Sequence, residues 1–141
     1  MPNDAQKELS EYRLEKSAAM IEKAEVLFNS HHYKGSNNRS YYAILHSLRA
    51  VLDLVGYDSK KHSGVIAEFQ RAFVKTNISE REYSKMIMAA SEIRNASDYD
   101  DYYIASKDEA QAQLANAKKL YTRVFSYIKG NVESEAVEGN K

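Results

Sequence analysis

At 141 residues the chain has the length of one domain, enough to bury roughly 68 to 70% of its unfolded surface around a single core. Lys plus Arg equals Asp plus Glu at 20 each, which excludes an overall field that would gather nucleic acid or an anionic membrane, so any polyanion site has to be a local cluster. The absence of cysteine excludes disulfides, thiol nucleophiles and thiolate metal centres and fits a reducing, cytoplasmic setting.

The amino terminus, MPNDAQKELSEYR, is polar and lacks the apolar run of a signal peptide, and no later run reaches the length of a membrane span. A soluble protein without a membrane partner is expected. Leu14, Ala18, Ile21, Ala24 and Phe28 recur at steps of three or four with Glu and Lys between them, which predicts an amphipathic helix from about Asp4 to Ser30. Gly35, after His31-His32-Tyr33-Lys34, is placed to follow its end, because glycine takes left-handed backbone cheaply.

A second helix is predicted from about Asn37 to Leu54. It is apolar nearly all round, with Tyr41, Ala43, Ile44, Leu45, Leu48, Val51, Leu52 and Val55, as befits the central helix of a bundle. Arg39, Tyr42, His46, Arg49 and Asp53 form its polar stripe, which reads as a solvated or interface-facing edge. Next, His62, Val65, Ile66, Phe69 and Phe73 mark a short third helix that fades around Thr76-Asn77 and packs across the others.

Ser79-Glu80-Arg81-Glu82 has the S-x-x-E form of a capping box, so a fourth helix is expected to begin there and reach about Ser97. Ser106-Lys107-Asp108-Glu109 repeats that form. It opens a long fifth helix carrying Ala110, Leu114, Ala117, Tyr121, Val124, Phe125 and Ile128 on one face. Beyond it, NVESEAVEGNK has too little apolar content to repay the entropy of ordering. The reading is thus an all-α up-and-down bundle of four to five helices over residues 1–129, followed by a disordered acidic tail over residues 130–141.

The segment Ile93 to Tyr103, IRNASDYDDYY, concentrates the candidate chemistry. Arg94 stands at the next step of the seam made by Tyr83, Met86, Ile87, Ala90 and Ile93. Desolvating a guanidinium costs several kcal/mol unless it is paired. Arg94 is therefore expected to meet a carboxylate such as Asp98 or Asp53, to line a wet groove, or to sit at a subunit interface. In a groove it would anchor phosphate, with Asn95 orienting that group, Asp98 and Tyr99 shaping the cleft, and Tyr99, Tyr102 and Tyr103 offering stacking faces or hydroxyl donors. Otherwise Arg94 only holds a carboxylate and the residues after it only end the helix.

His46 and His62 are the histidines that fall on helices, and they are the groups best suited to proton transfer or ligand contact near neutral pH; each also suits a packing role. No H-E-x-x-H, EF-hand, phosphate-cradling glycine loop or G-x-S-x-G elbow occurs, so neither metal nor cofactor is expected.

Three segments, NNRSYYAILHSLRAVLDLVGY from Asn37, KKHSGVIAEFQRAFVKT from Lys60 and EIRNASDYDDYY from Glu92, together resemble the HEPN domains of prokaryotes in content, order and separation. The resemblance implies a helical bundle that pairs into a homodimer and is often encoded beside a minimal nucleotidyltransferase as toxin and antitoxin. Such members are metal-independent ribonucleases with a motif of arginine, often a polar residue, and a histidine four to six residues beyond. Arg94 and Asn95 match its opening. Tyr99 stands where the histidine is expected and no histidine follows His62, so the motif histidine is replaced.

What the resemblance implies for this chain is a nucleotide- or RNA-binding partner of a minimal nucleotidyltransferase. The alternatives are a toxin ribonuclease with a displaced base, drawing on Arg94 with Tyr99, His46 or His62, and a non-catalytic helical scaffold. Some family toxins are adenylylated by the partner on a tyrosine beside the motif, which makes Tyr99, Tyr102 and Tyr103 modification candidates, with Asp101 in that tyrosine's place.

Overall fold

Ser10, Ser17 and Ala24 are spaced seven apart on the first helix, and each is almost completely buried because a second helix runs antiparallel against them. The computed structural model describes residues 2–139, with side chains described to residue 131. Among them are α1 (Asp4–Asn29), α2 (Tyr33–Asp53), α3 (His62–Phe69), α4 (Arg81–Tyr99) and α5 (Lys107–Gly139), with a π-helical continuation of α3 over Gln70–Val74 and no strand. The expected all-α bundle is the observed one.

The seam between α1 and α2 is built from small residues. Ser10 Oγ donates to the Ala50 carbonyl, Ser17 Oγ to that of Ala43 and Ser36 Oγ to that of Ala24, at 2.7, 2.7 and 2.8 Å. Ser17 and Ser47 hydroxyls meet at 2.8 Å. Each hydroxyl thus satisfies its own polarity while letting the backbones approach, which a larger side chain would prevent.

The turn into α2 departs from the sequence expectation. His31, not Gly35, takes the left-handed conformation (φ 63°), and His31 and His32 N–H groups close back on the Phe28 and Leu27 carbonyls, the hydrogen bonds of a Schellman cap. Gly35 lies inside α2, where a Cβ would sit 3.3 Å from Leu27 Cδ1. Its function is close approach between helices, and α2 begins at Tyr33, earlier than Asn37.

α2 is central, touching every other helix. Ile44, Leu48 and Leu52 on α2, with Val65, Ile87 and Leu120, are the largest fully buried apolar side chains. α5 runs past Gly130, where the sequence reading ends it. Nothing lies within 4 Å of a Cβ built there, and glycine within a helix costs only about 1 kcal/mol. Residues 130–139 therefore carry helical backbone, while the last two residues of the expected tail lie outside the described residues.

The two expected capping boxes differ in outcome. Ser106 Oγ accepts from the Glu109 N–H at 3.1 Å, but the Glu109 carboxylate turns instead to Asn37 and Tyr103. Ser79 caps nothing: α4 starts one residue later with Glu80 at the cap position and no side-chain bond. The Ser79 hydroxyl is buried without a partner, because its own N–H is drawn to the Phe73 carbonyl at 2.6 Å, which turns the residue into the core.

Candidate functional site

Arg94 lies near the carboxyl end of α4, where the crossing of α2 and the start of α3 bring three aromatic rings to it. Its Nη1 donates to His62 Nδ1 at 2.7 Å and to the Tyr41 hydroxyl at 3.3 Å. The guanidinium carbon sits 4.9 Å from the centre of the Tyr41 ring and 5.6 Å from that of Tyr42, a cation held over two π faces. Nε faces Asp98 Oδ2 at 3.4 Å. The arginine thus meets Asp98 and not Asp53. Its side chain keeps 27% of its exposure, so it is not sealed inside the bundle.

The arginine settles the protonation of its neighbour. A guanidinium has no acceptor, so the short contact makes His62 Nδ1 the acceptor and places the proton of the neutral ring on Nε2. Burial, then the positive charges of Arg94 and Arg49, hold the His62 pKa below its ordinary value, which keeps the ring neutral near pH 7. Tyr41 is the converse: burial raises its pKa despite the opposing hydrogen bond from Arg94, so its phenol stays protonated. Arg94 keeps its Nη2 edge open, and the Nε2–H of His62 points away from it on the far side of the ring.

His62 also borders a groove of about 300 Å³ between α1 and α2. The α1 wall is Leu9, Tyr12, Arg13 and Lys16, and the α2 wall is Tyr42, Leu45, His46 and Arg49. Burial, then Lys16, Arg49, Arg13 and His62, lower the His46 pKa to about 4, and its Nδ1 is buried without a partner. At the far end Arg13 pairs with the buried Asp53 at 2.8 Å. Asp58 stands 3.5 Å from both Arg13 and Arg49, and Arg49 also donates to the Ser59 carbonyl at 2.8 Å.

Of the residues singled out in the sequence, His62, Asp98 and Arg94 come together, and His46 lies beside them in the groove. Asn95 is exposed and takes no part in the cluster. Tyr99 and Tyr102 are 85% and 91% exposed, available to solvent but outside the ring contacts of Arg94. Tyr103 donates to Glu109. Among the described residues no group of three or more His, Asp or Glu side chains is arranged to hold a metal ion, and no helix is long and apolar enough to cross a membrane.

Sequence reasoning missed Tyr41, which reads as core, and Tyr12, Arg13 and Lys16 on the first helix. Their signal exists: positions 9, 12, 13 and 16 share the i, i+3, i+4, i+7 spacing of positions 42, 45, 46 and 49. Only the hairpin geometry makes the two stripes face each other.

Comparison with known proteins gives a consistent result. Residues 10–129 match the family model described as the HEPN domain. The chain is 31% identical over 115 residues to "Putative toxin MJ0142" of Methanocaldococcus jannaschii, covering 82% of this chain and 78% of that protein. A second protein of that organism, "Putative toxin MJ0605", is 31% identical over 75% of this chain and 78% of its own length. A UPF0332 protein of Thermotoga maritima is 31% identical over 84% of this chain and 89% of its own length.

Proposed function

The chain belongs to the HEPN domain family, and on that footing we propose that it is a toxin-type protein that binds RNA or nucleotide phosphate at Arg94, as a homodimer and in partnership with a minimal nucleotidyltransferase. The observation that carries this reading is the 2.7 Å hydrogen bond from Arg94 Nη1 to His62 Nδ1. It holds Nη1 in place and leaves the Nη2 edge of a guanidinium that keeps 27% of its exposure open to solvent, and a fixed, permanent cation suits a phosphate, whose oxygens only accept at neutral pH. Tyr41 and Tyr42 fix the plane of the fork and reduce the entropy lost when the anion arrives.

A second reading is favoured by the same juxtaposition. The family's ribonucleases join an arginine to a histidine, and here His62 from α3 reaches the arginine that Tyr99 does not contact. In the geometry observed, however, the lone pair a general base needs is taken up by Arg94. Binding without cleavage is therefore the expected behaviour.

The experiment is an RNA-binding and cleavage assay with EDTA present, on wild type, Arg94→Ala and His62→Ala. Wild type should bind single-stranded RNA saturably without cutting it, and Arg94→Ala should weaken binding about ten-fold or more, the loss of a charged hydrogen-bonding group worth about 1.5–3 kcal/mol. Metal-free cleavage that disappears in His62→Ala selects the ribonuclease. Undiminished binding by a folded Arg94→Ala protein removes Arg94 from the function.

A further inference from the structure

The Arg94 cluster provides for one phosphate, yet the cations of this region do not stop there. Lys16 projects from the exposed face of α1 with its ammonium 5.0 Å from the centre of the Tyr12 ring, and no ion pair to a carboxylate engages it among the described residues. Arg49 faces it from α2 and is restrained only by Ser59 and the well-exposed Asp58, a weak, solvent-screened pair. No acidic side chain lines the groove between them. In a chain with no net charge, three cations (Arg13, Lys16 and Arg49) meet the two carboxylates of Asp53 and Asp58 here, which leaves a local excess of positive charge at Lys16.

The groove and the Arg94 cluster are continuous. His62 lines the groove and accepts from Arg94, and Tyr42 forms a groove wall while lying under the same guanidinium. Asp98 stands at Arg94 Nε, and Asp100 and Asp101 follow it in the chain, whereas no acidic side chain lines the groove. A polyanion anchored at Arg94 is therefore favoured to run into the groove. The volume of about 300 Å³ is at the small end of ligand sites, and tyrosine faces beside cations are the means by which unpaired nucleotides are held.

We propose that the α1–α2 groove is a second nucleotide subsite joined to the phosphate site at Arg94, and that the ligand spanning both is single-stranded RNA with at least two consecutive phosphates. The first phosphate takes the open edge of Arg94, the intervening nucleoside lies against Tyr12 and Tyr42 with His62 Nε2–H as a donor on the groove side, and the next phosphate takes Lys16 and Arg49. A free mononucleotide fills only the first of these positions. This inference rests on the phosphate-binding reading of Arg94 and extends it.

The test is fluorescence anisotropy with a labelled ten-nucleotide oligouridylate, competed by AMP, with EDTA present and salt varied from 50 to 300 mM. Lys16 is exposed, so Lys16→Glu keeps the fold, which an unchanged thermal midpoint verifies. Lys16→Glu should weaken oligouridylate binding about ten-fold and lower the salt slope by about 0.7 to 1, the signature of one lost phosphate contact, while AMP affinity moves less than about two-fold. Lys16→Gln should show a smaller loss in the same direction.

If Lys16→Glu leaves both ligands unaffected while Arg94→Ala weakens both, the groove proposal is overturned and the Arg94 site stands. Loss in Lys16→Glu with none in Arg94→Ala removes the Arg94 site and with it the joined site, leaving the groove as a separate binding surface. Failure of the wild-type protein to bind the oligomer overturns both.

Discussion

Arg94 presents five N–H donors, and the fold engages three of them. Nη1 is committed to His62 and Tyr41, and Nε is opposed by Asp98 at 3.4 Å. The Nη2 edge is left for a ligand. A bidentate phosphate would use Nε together with Nη2, so Asp98 competes with it for one of the two bonds. Asp98 retains 45% of its side-chain exposure, and an i, i+4 pair so placed contributes only about 0.3–0.5 kcal/mol. Asp98→Asn should therefore raise affinity for phosphate and RNA about two- to five-fold and change stability by less than about 0.5 kcal/mol, as read by titration and urea unfolding of the same preparation. A loss of affinity would instead make Asp98 a ligand contact. At this scale the sequence was informative about Arg94 itself, since a permanent charge on an apolar stripe demands a partner. It was uninformative about Tyr41, because a tyrosine in an apolar helix looks the same whether its hydroxyl is idle or engaged.

Periodicity reveals an element reliably and its ends less so. All five helices are legible from their apolar stripes, whereas the ends were decided by tertiary contacts that no local pattern contains. Gly35 resembles a stop signal but serves helix approach against Leu27, and His31 makes the left-handed turn in its place. The two S-x-x-E segments make the contrast sharper. Ser106 does no more than its form promises, its oxygen accepting from the Glu109 N–H, and Ser106→Ala should cost about 1 kcal/mol. Ser79 is buried with its hydroxyl unpartnered, so Ser79→Ala removes an unsatisfied polar group and should be neutral or stabilising by up to about 1 kcal/mol. Urea midpoints of the two variants decide this, and equal losses would mean that Ser79 does cap α4. The paired stripes of the groove follow the same rule: each is visible in one helix, and their opposition is a property of the hairpin.

For the molecule as a whole, two ionisable groups set opposing responses to acid. Burial pushes the Asp53 pKa from 3.8 to about 6, against the pull of Arg13. Between those values the folded chain holds a proton that the unfolded chain releases, so this group's contribution to stability falls as pH rises through the window. Burial, then neighbouring cations, take His46 from 6.5 to about 4. There the unfolded chain holds the extra proton, and the contribution rises with pH. Over pH 4.5 to 6 the two slopes, each up to about 1.4 kcal/mol per unit, oppose each other in the wild type. Asp53→Asn should therefore make stability climb more steeply with pH than wild type, and His46→Gln should make it climb less or fall. Urea midpoints at half-unit intervals measure the slopes, and three parallel curves would refute the assignment.

The small-residue seam between α1 and α2 bears on how quickly a guest is accepted. Three serine hydroxyls bridge the two backbones, so the two helices that wall the groove move as one body. Such walls have no induced fit to complete after encounter. Association should run at a diffusive pace governed by charge steering, and discrimination among guests should reside in how fast they leave.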